Sequence, residues 1–343
     1  MAVAVVTMCA ALLVGVPVAM AVPAPPVDQC TVADGRLAEL SGLVADADAW
    51  YAIGDGGDAA GVVVLGKDCV AQREITSSTD PYDVEDLARA ADGTFWLADT
   101  GDNSKQRETI ALISLTPDGQ SALYRLTYPD GAHDAEALLL DAAGTPYVVT
   151  KSPLGTAAVY APAAALASPG PTPLRRVASV SLSPTDTPGG PVPGVVGSVT
   201  VTGAASTVDG SVVALRTYTD AYLYPVTGGD LPAAFDAKPV RVPLPNEVQG
   251  EAIAFDPGGD LVSAGETRDG VTTPVRIVPG AAALVAPRPK QDASPTKDRK
   301  PGNTEDSKGG QDGLPALPAA AVTVAFLGIV LLLMRWLRKL RRR

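Results

Sequence analysis

Three glutamates recur at one position of a repeated unit: Glu85, Glu136 and Glu251, with Ser41 and Thr202 at the same place in two further copies. About fifteen residues after each of these come Asp55, Asp99, Lys151, Arg216 and Glu266. Carboxylates held close together repel unless a cation or a shared proton relieves them. The two sets therefore predict a site of acids with two cations, Lys151 and Arg216, among them. The competing reading is ordinary polar lining of a water-filled channel, with the cations neutralising the acids. One copy adds an acidic loop, Asp99-Thr-Gly-Asp-Asn103, which places two carboxylates (Asp99 and Asp102), an amide (Asn103) and a flexible glycine together. The same loop also reads as a hydrogen-bonded turn without any ion. Serine-histidine-aspartate catalysis does not fit: His133 is the only histidine and no G-x-S-x-G elbow is present.

The elements that must position these residues are short strands. Asp83 to Ala88 is a strand, Ala91-Asp92-Gly93 a tight turn, and Thr94 to Ala98 a second, β-favouring strand. Two more strands follow, Thr109 to Leu115 and Ala122 to Tyr128, joined at Pro117-Asp-Gly119. Similar pairs start near Glu39, Asp134, Val199 and Gln249, with start-to-start spacings of roughly 45 to 65 residues, the period of a four-stranded propeller blade. The expectation is an all-β fold, a β-propeller of five or six four-stranded blades over residues 29–286. A sixth blade would have to lie in the proline-rich stretch Pro169 to Pro193, and Cys30-Thr-Val32 is the candidate strand that closes the ring. The first strand of each blade lines the channel, so the two sets of residues form stacked rings at one mouth. Trp50 and Trp96, at equivalent points of their second strands, belong to blade cores.

The ends of the chain speak to location. Met1 to Ala21 is apolar and ends in Ala19-Met20-Ala21, which reads as a secretory signal peptide although no Lys or Arg precedes its apolar run. Residues 287–313 are rich in Pro, Gly, Ser, Lys and Asp and read as a disordered linker. Leu314 to Met334 is long and apolar enough to cross a bilayer as a helix. The tail Arg335 to Arg343 carries six basic residues and no acid, so the net charge of −11 becomes −17 over the rest of the chain. The positive-inside rule then puts the tail in the cytoplasm and the acidic body outside, in a single-pass protein of a cell membrane. An acidic body argues against nucleic acid as a partner. Cys30 and Cys69, the pair left once Cys9 is assigned to the leader, read as a disulfide in an exported segment.

The residues Asp83-x-Glu-Asp, Trp96-Leu-Ala-Asp-Thr-Gly-Asp-Asn103 with Arg107, Asp134-Ala-Glu-Ala, Ala214-Leu-Arg-Thr-Tyr218 and Gln249-Gly-Glu-Ala-Ile-Ala resemble an actinobacterial-type family of exported β-propellers. That family is similar to the phytase-like and esterase-like propellers. The resemblance implies Ca2+ at the channel mouth, with Glu85, Asp99, Asp102, Glu136, Glu251 and Glu266 as the matching carboxylates. It also implies Lys151 and Arg216 as the cations that would grip a phosphate, with Glu136 beside them. Oxygen-only ligands suit a hard cation. The chain departs from phytases in having no acid at the start of the fourth unit. Two functions follow as expectations. One is a tethered extracellular module that binds Ca2+ and docks a cell-wall or protein ligand at the channel mouth. The other is a metal-dependent hydrolase of phosphoesters or related esters.

Overall fold

The structure, a computed structural model, describes residues 22–55, 60–192 and 194–285, all within the first of the chain's two units, Met1–Pro289. The expected signal peptide at 1–21, linker at 287–313, transmembrane helix at 314–334 and basic tail at 335–343 lie outside the described residues. Among the described residues no helix is long and apolar enough to cross a membrane.

Short runs rich in apolar and β-favouring residues between Gly/Asp turns form the strands. The first sheet is β2 (Leu40–Ala45), β3 (Ala49–Gly54), β4 (Gly61–Gly66) and β5 (Ala71–Thr76), preceded by β1 (Val27–Cys30). The second is β6 (Val84–Arg89), β7 (Phe95–Asp99), β8 (Ile110–Leu115) and β9 (Ser121–Thr127). The third is β10 (Ala135–Leu140), β11 (Pro146–Thr150), β12 (Thr156–Pro162) and β13 (Thr172–Ser181). After a single helical turn, α1 (Val195–Val199), the fourth follows as β14 (Val201–Ser206), β15 (Val212–Thr217), β16 (Asp220–Pro225) and β17 (Val240–Pro243), with a short helix, α2 (Leu231–Ala234), before its last strand. The fifth starts with β18 (Gly250–Phe255) and β19 (Leu261–Gly265), passes a small hairpin of β20 (Thr267–Arg268) and β21 (Val271–Thr272), and continues with β22 (Val275–Val278). Its fourth strand is β1, which pairs antiparallel with β22.

The first strands pack in cyclic order, β2 on β6, β6 on β10, β10 on β14, β14 on β18, and β18 back on β2. Apolar cores fill the gaps between successive sheets. One example is Ile53, Val62, Leu87, Phe95 and Leu97 between the first and second. Another is Leu40, Trp50, Leu65, Ala252 and Val262 between the fifth and first. Each sheet is thus buried on both faces, which explains why its inner strands are apolar without strict alternation. The fold is a β-propeller, and its described strands form five four-stranded groups.

Two details differ from expectation. The closing strand is Val27–Cys30 rather than Cys30-Thr-Val32: Val27 pairs with Ile277 and Asp28 with Arg276, and beyond Cys30 the chain turns so that Val32 enters the core. The expected bond Cys30–Cys69 is present and ties this strand to the turn after β4. The proline-rich stretch makes no separate sheet. Its Thr172–Ser181 part is β13, which also pairs in parallel with β9 and joins the second and third sheets into one. Further on, Thr185 and Thr187 donate hydroxyl hydrogen bonds of 2.7 and 2.8 Å to the buried Asp220 on β16. The stretch therefore lies along the fourth sheet.

Candidate functional site

Every inner strand breaks its register with the second strand at one place. The breaks fall between Leu40 and Gly42, Val84 and Asp86, Ala135 and Ala137, Val201 and Gly203, and Gly250 and Ile253. The residues inside these bulges are Ser41, Glu85, Glu136, Thr202 and Glu251 with Ala252. A bulge removes a residue from the ladder's alternation and re-aims its side chain. The ring expected from the repeat is therefore a ring of bulges, and all five of its members are buried.

Two of them converge with a third acid. Carboxylate oxygens of Glu85, Asp134 and Glu136 lie within 4.8 Å of one another, and each residue is 4–5 % exposed. Glu85 and Glu136 come from neighbouring inner strands. Asp134 precedes β10 and is held by the Asp102 N–H, which donates to its Oδ1 at 2.8 Å. The Lys151 N–H, just after β11, donates to the Asp134 carbonyl at 2.9 Å. Its ammonium pairs with Glu136 and lies 6.0 Å from the centroid of the Tyr218 ring. Glu251 is 4 % exposed; its Oε1 accepts from Gln249 Nε2 at 3.3 Å, and its Oε2 is buried with no hydrogen-bond partner.

Burial raises the carboxyls of Glu85, Glu136 and Glu251 above the usual range. The charge of Glu136 adds to the rise at Glu85 and Glu251, while Lys151 opposes it at Glu136. Burial alone would lower Lys151, but Glu136, Tyr218 and Glu251 outweigh it and keep the ammonium charged. Around the rim the direction is the same. Burial, then Glu266, Glu39 and Asp83, push Asp55 up to about 7, and burial also raises Asp83 and Glu266.

Of the other expected residues, Asp99 and Asp102 shape the loop instead of joining the three acids. Asp99 Oδ1 accepts from the Asp83 N–H at 3.0 Å and from Arg107 Nη2 at 2.9 Å. Asp102 accepts from the N–H groups of Gln106 and Arg107. The Asp-Thr-Gly-Asp loop is thus a hydrogen-bonded turn closed by Arg107, which also lies over the ring of Tyr82. Its glycine is needed for space: a Cβ on Gly101 would stand 2.2 Å from Glu85 Oε1 and 2.3 Å from Asp83 Oδ2. Asn103 is exposed. Glu266 and Asp55 stay half-buried at the rim.

Arg216 is placed elsewhere than expected. It is fully buried and donates to Glu247 at 2.7 Å, to the carbonyls of Thr217, Ala252 and Ala264, and to Ser263 Oγ. The bulge residue of its own sheet is Thr202, not an acid, and Glu247, in the turn before β18, pairs with the guanidinium instead. The two hydroxyl members of the ring also join strands: Ser41 donates to the Glu85 carbonyl and Thr202 to the Gly250 carbonyl.

The repeat reading left out Asp134, Asp86 and Tyr218. Asp134 had a visible signal, since Asp83-Val-Glu85 and Asp134-Ala-Glu136 share one spacing. Asp86 had none. It is fully buried and accepts from the N–H groups of Leu87, Leu138 and Ala204, at 2.8, 2.7 and 3.1 Å. It thereby links the inner edges of β6, β10 and β14. Burial raises its carboxyl, and these three donors pull the other way. At the hairpin-turn end is a separate cavity of about 600 Å³, lined by residues such as Leu43, Leu87, Leu138, Ala204, Ala254 and Phe255 and by none of the converging acids. His133 bonds Asp130 and the Tyr160 hydroxyl, both at 3.0 Å, and takes no part in the cluster.

No protein-family model and no curated protein matches the sequence. Among solved structures the chain is similar to a virginiamycin B lyase from Staphylococcus aureus, at 11 % identity and TM-score 0.35, covering 68 % of this chain and 65 % of that one. It is also similar to a streptogramin B lyase, at 11 % identity and TM-score 0.35, covering 69 % of this chain and 64 % of that one. The chain thus spans just under two thirds of the length of these two structures.

Proposed function

We propose that the chain is a membrane-tethered, extracytoplasmic five-bladed propeller that binds a divalent cation at its acidic channel mouth and docks an anionic ligand or partner there. The observation that carries this is the convergence of Glu85, Asp134 and Glu136 within 4.8 Å inside the protein. Buried like charges at this spacing need a counter-charge or a proton, and the one ammonium beside them, Lys151, pairs with Glu136. Two features support the fit of an ion. The donors are all oxygens, which suits Ca2+. The three carboxylates receive few hydrogen bonds, Asp134 from the Asp102 N–H and Glu136 from Lys151, which leaves acceptor oxygens for an ion. Glu85, Asp134 and Glu136 would hold the ion, which would supply a concentrated positive charge to an incoming anion. The tether, the orientation and a cell-wall or protein ligand rest on the apolar leader, the apolar stretch at 314–334 and the basic tail.

The test is calcium titration calorimetry on the full chain in detergent. The expected result is saturable binding, weakened about tenfold or more in Glu136→Gln and Asp134→Asn, since each removes one charged ligand. A wild-type protein that shows no saturable heat sinks the proposal. A second reading, a metal-dependent ester hydrolase, is favoured by one observation: the Lys151 ammonium beside the three acids, where it would stabilise negative charge developing on a substrate. It predicts Ca2+-dependent release of phosphate from phytate or p-nitrophenyl phosphate, lost in Lys151→Met.

A further inference from the structure

The ring of bulges has a gap at the fourth sheet. Glu136 and Glu251 stand on either side of it, on β10 and β18, and the residue between them on β14 is Thr202. Arg216, the cation that the repeat would bring there, is turned into the interior by Glu247. The place is taken from the third sheet: Lys151 reaches toward the ring of Tyr218, itself only 7 % exposed, and pairs with Glu136. On the far side Glu251 presents a buried oxygen with no partner. A buried carboxylate oxygen left without a donor is costly and calls for an explanation.

We infer that Lys151 is the resident cation of the mouth and has two seats, Glu136 when no metal is bound and Glu251 when a divalent ion takes Glu136. This deepens the ion-binding proposal and rests on it. The reason is electrostatic. An ammonium left on Glu136 would share a carboxylate with a doubly charged ion and repel it at short range in a poorly screened site. Lysine carries a compact charge on a flexible four-carbon stem, so it can leave Glu136 without backbone movement. The Glu251 charge already acts on the ammonium, which lies 6.0 Å from the centroid of the Tyr218 ring beside the fourth sheet. Glu251 then acts on the ion through Lys151, as a positioning residue and not a ligand.

The test is a double-mutant cycle with Ca2+ alone as the probe, by calorimetry on the full chain in detergent. Lys151→Met, with Lys151→Gln as a second neutral variant, should bind Ca2+ about tenfold more tightly than wild type, because no ammonium has to be displaced. Glu251→Gln in the wild-type background should weaken binding by about tenfold, and in the Lys151→Met background should change it by less than about twofold. Melting temperatures without ion identify any variant that has failed to fold. Equal affinity in the wild type and both Lys151 variants overturns the two-seat inference and leaves the ion site standing. Weakening by Glu251→Gln in both backgrounds also overturns it, by making Glu251 a direct ligand. Absence of binding in every variant overturns the ion site and the inference together.

Discussion

At the residue scale the protein is defined by carboxyls that the fold buries before anything neutralises them. Glu85, Glu136 and Glu251 are raised by burial, and Asp55 at the rim is pushed to about 7 from an ordinary 3.8. A carboxyl whose native pKa is raised stabilises the fold in its protonated form. Its contribution is complete below the unfolded value and is lost as pH rises through the folded value. For Asp55 that window runs from 3.8 to about 7. Surface carboxyls such as Asp34, held at about 2 by its hydrogen bond to Arg36, act below the window with the opposite sign. The ion-free protein is therefore expected to melt at a higher temperature near about pH 5 than near about pH 8, with added Ca2+ restoring the loss at the higher pH. Thermal scans at the two pH values, with Ca2+ and with a chelator, check this. A melting temperature that rises with pH in the chelator would contradict it.

At the element scale the device is the bulge. A strand of strict alternation would send Glu85 or Glu136 into an inter-sheet core, and the break in register lets the two converge with Asp134 instead. The acidic loop after β7 supports that placement. Its two aspartates bind Arg107 and backbone N–H groups, and its glycine makes room for the Glu85 and Asp83 carboxylates. In Gly101→Ala the new methyl group meets the tips of two side chains rather than backbone. Stability should therefore fall by about 1–3 kcal/mol, while the displaced Glu85 lowers Ca2+ affinity by about tenfold. Urea unfolding and calcium calorimetry on the same variant separate the two effects. Wild-type affinity in Gly101→Ala would remove Glu85 from the ligand set.

At the scale of the whole molecule the question is how a ring of sheets closes. The fifth sheet takes its outer strand, β1, from the other end of the chain, where Asp28 pairs with Arg276 at 2.8 Å. The Cys30–Cys69 bond then ties β1 to the first sheet across a sequence separation of 39 residues. A loop of that size is worth about 4 kcal/mol of unfolded-state entropy. The paired variant Cys30→Ser/Cys69→Ser should lose about that much unfolding free energy in urea. An unchanged urea midpoint would mean that the closing strand holds without its staple.

The sequence by itself determined the strand-and-turn repeat, the propeller class, the disulfide and the ring positions of Glu85, Glu136 and Glu251. All of these follow from local periodicity, turn chemistry or an even cysteine pair. Tertiary structure alone decided which ring members meet. Glu85 and Glu136 converge because their strands are neighbours, whereas Arg216 left the mouth because Glu247, 31 residues away in the chain, offers it a buried partner. Asp86 reads as one more polar strand residue until three strands bring N–H groups to it. Asp99 and Asp102 look like ligands until Arg107 is seen to close their loop. Repeat register carries the angular position of a side chain around the ring. Which partner captures its charge depends on residues far away in sequence, and no local pattern encodes those contacts.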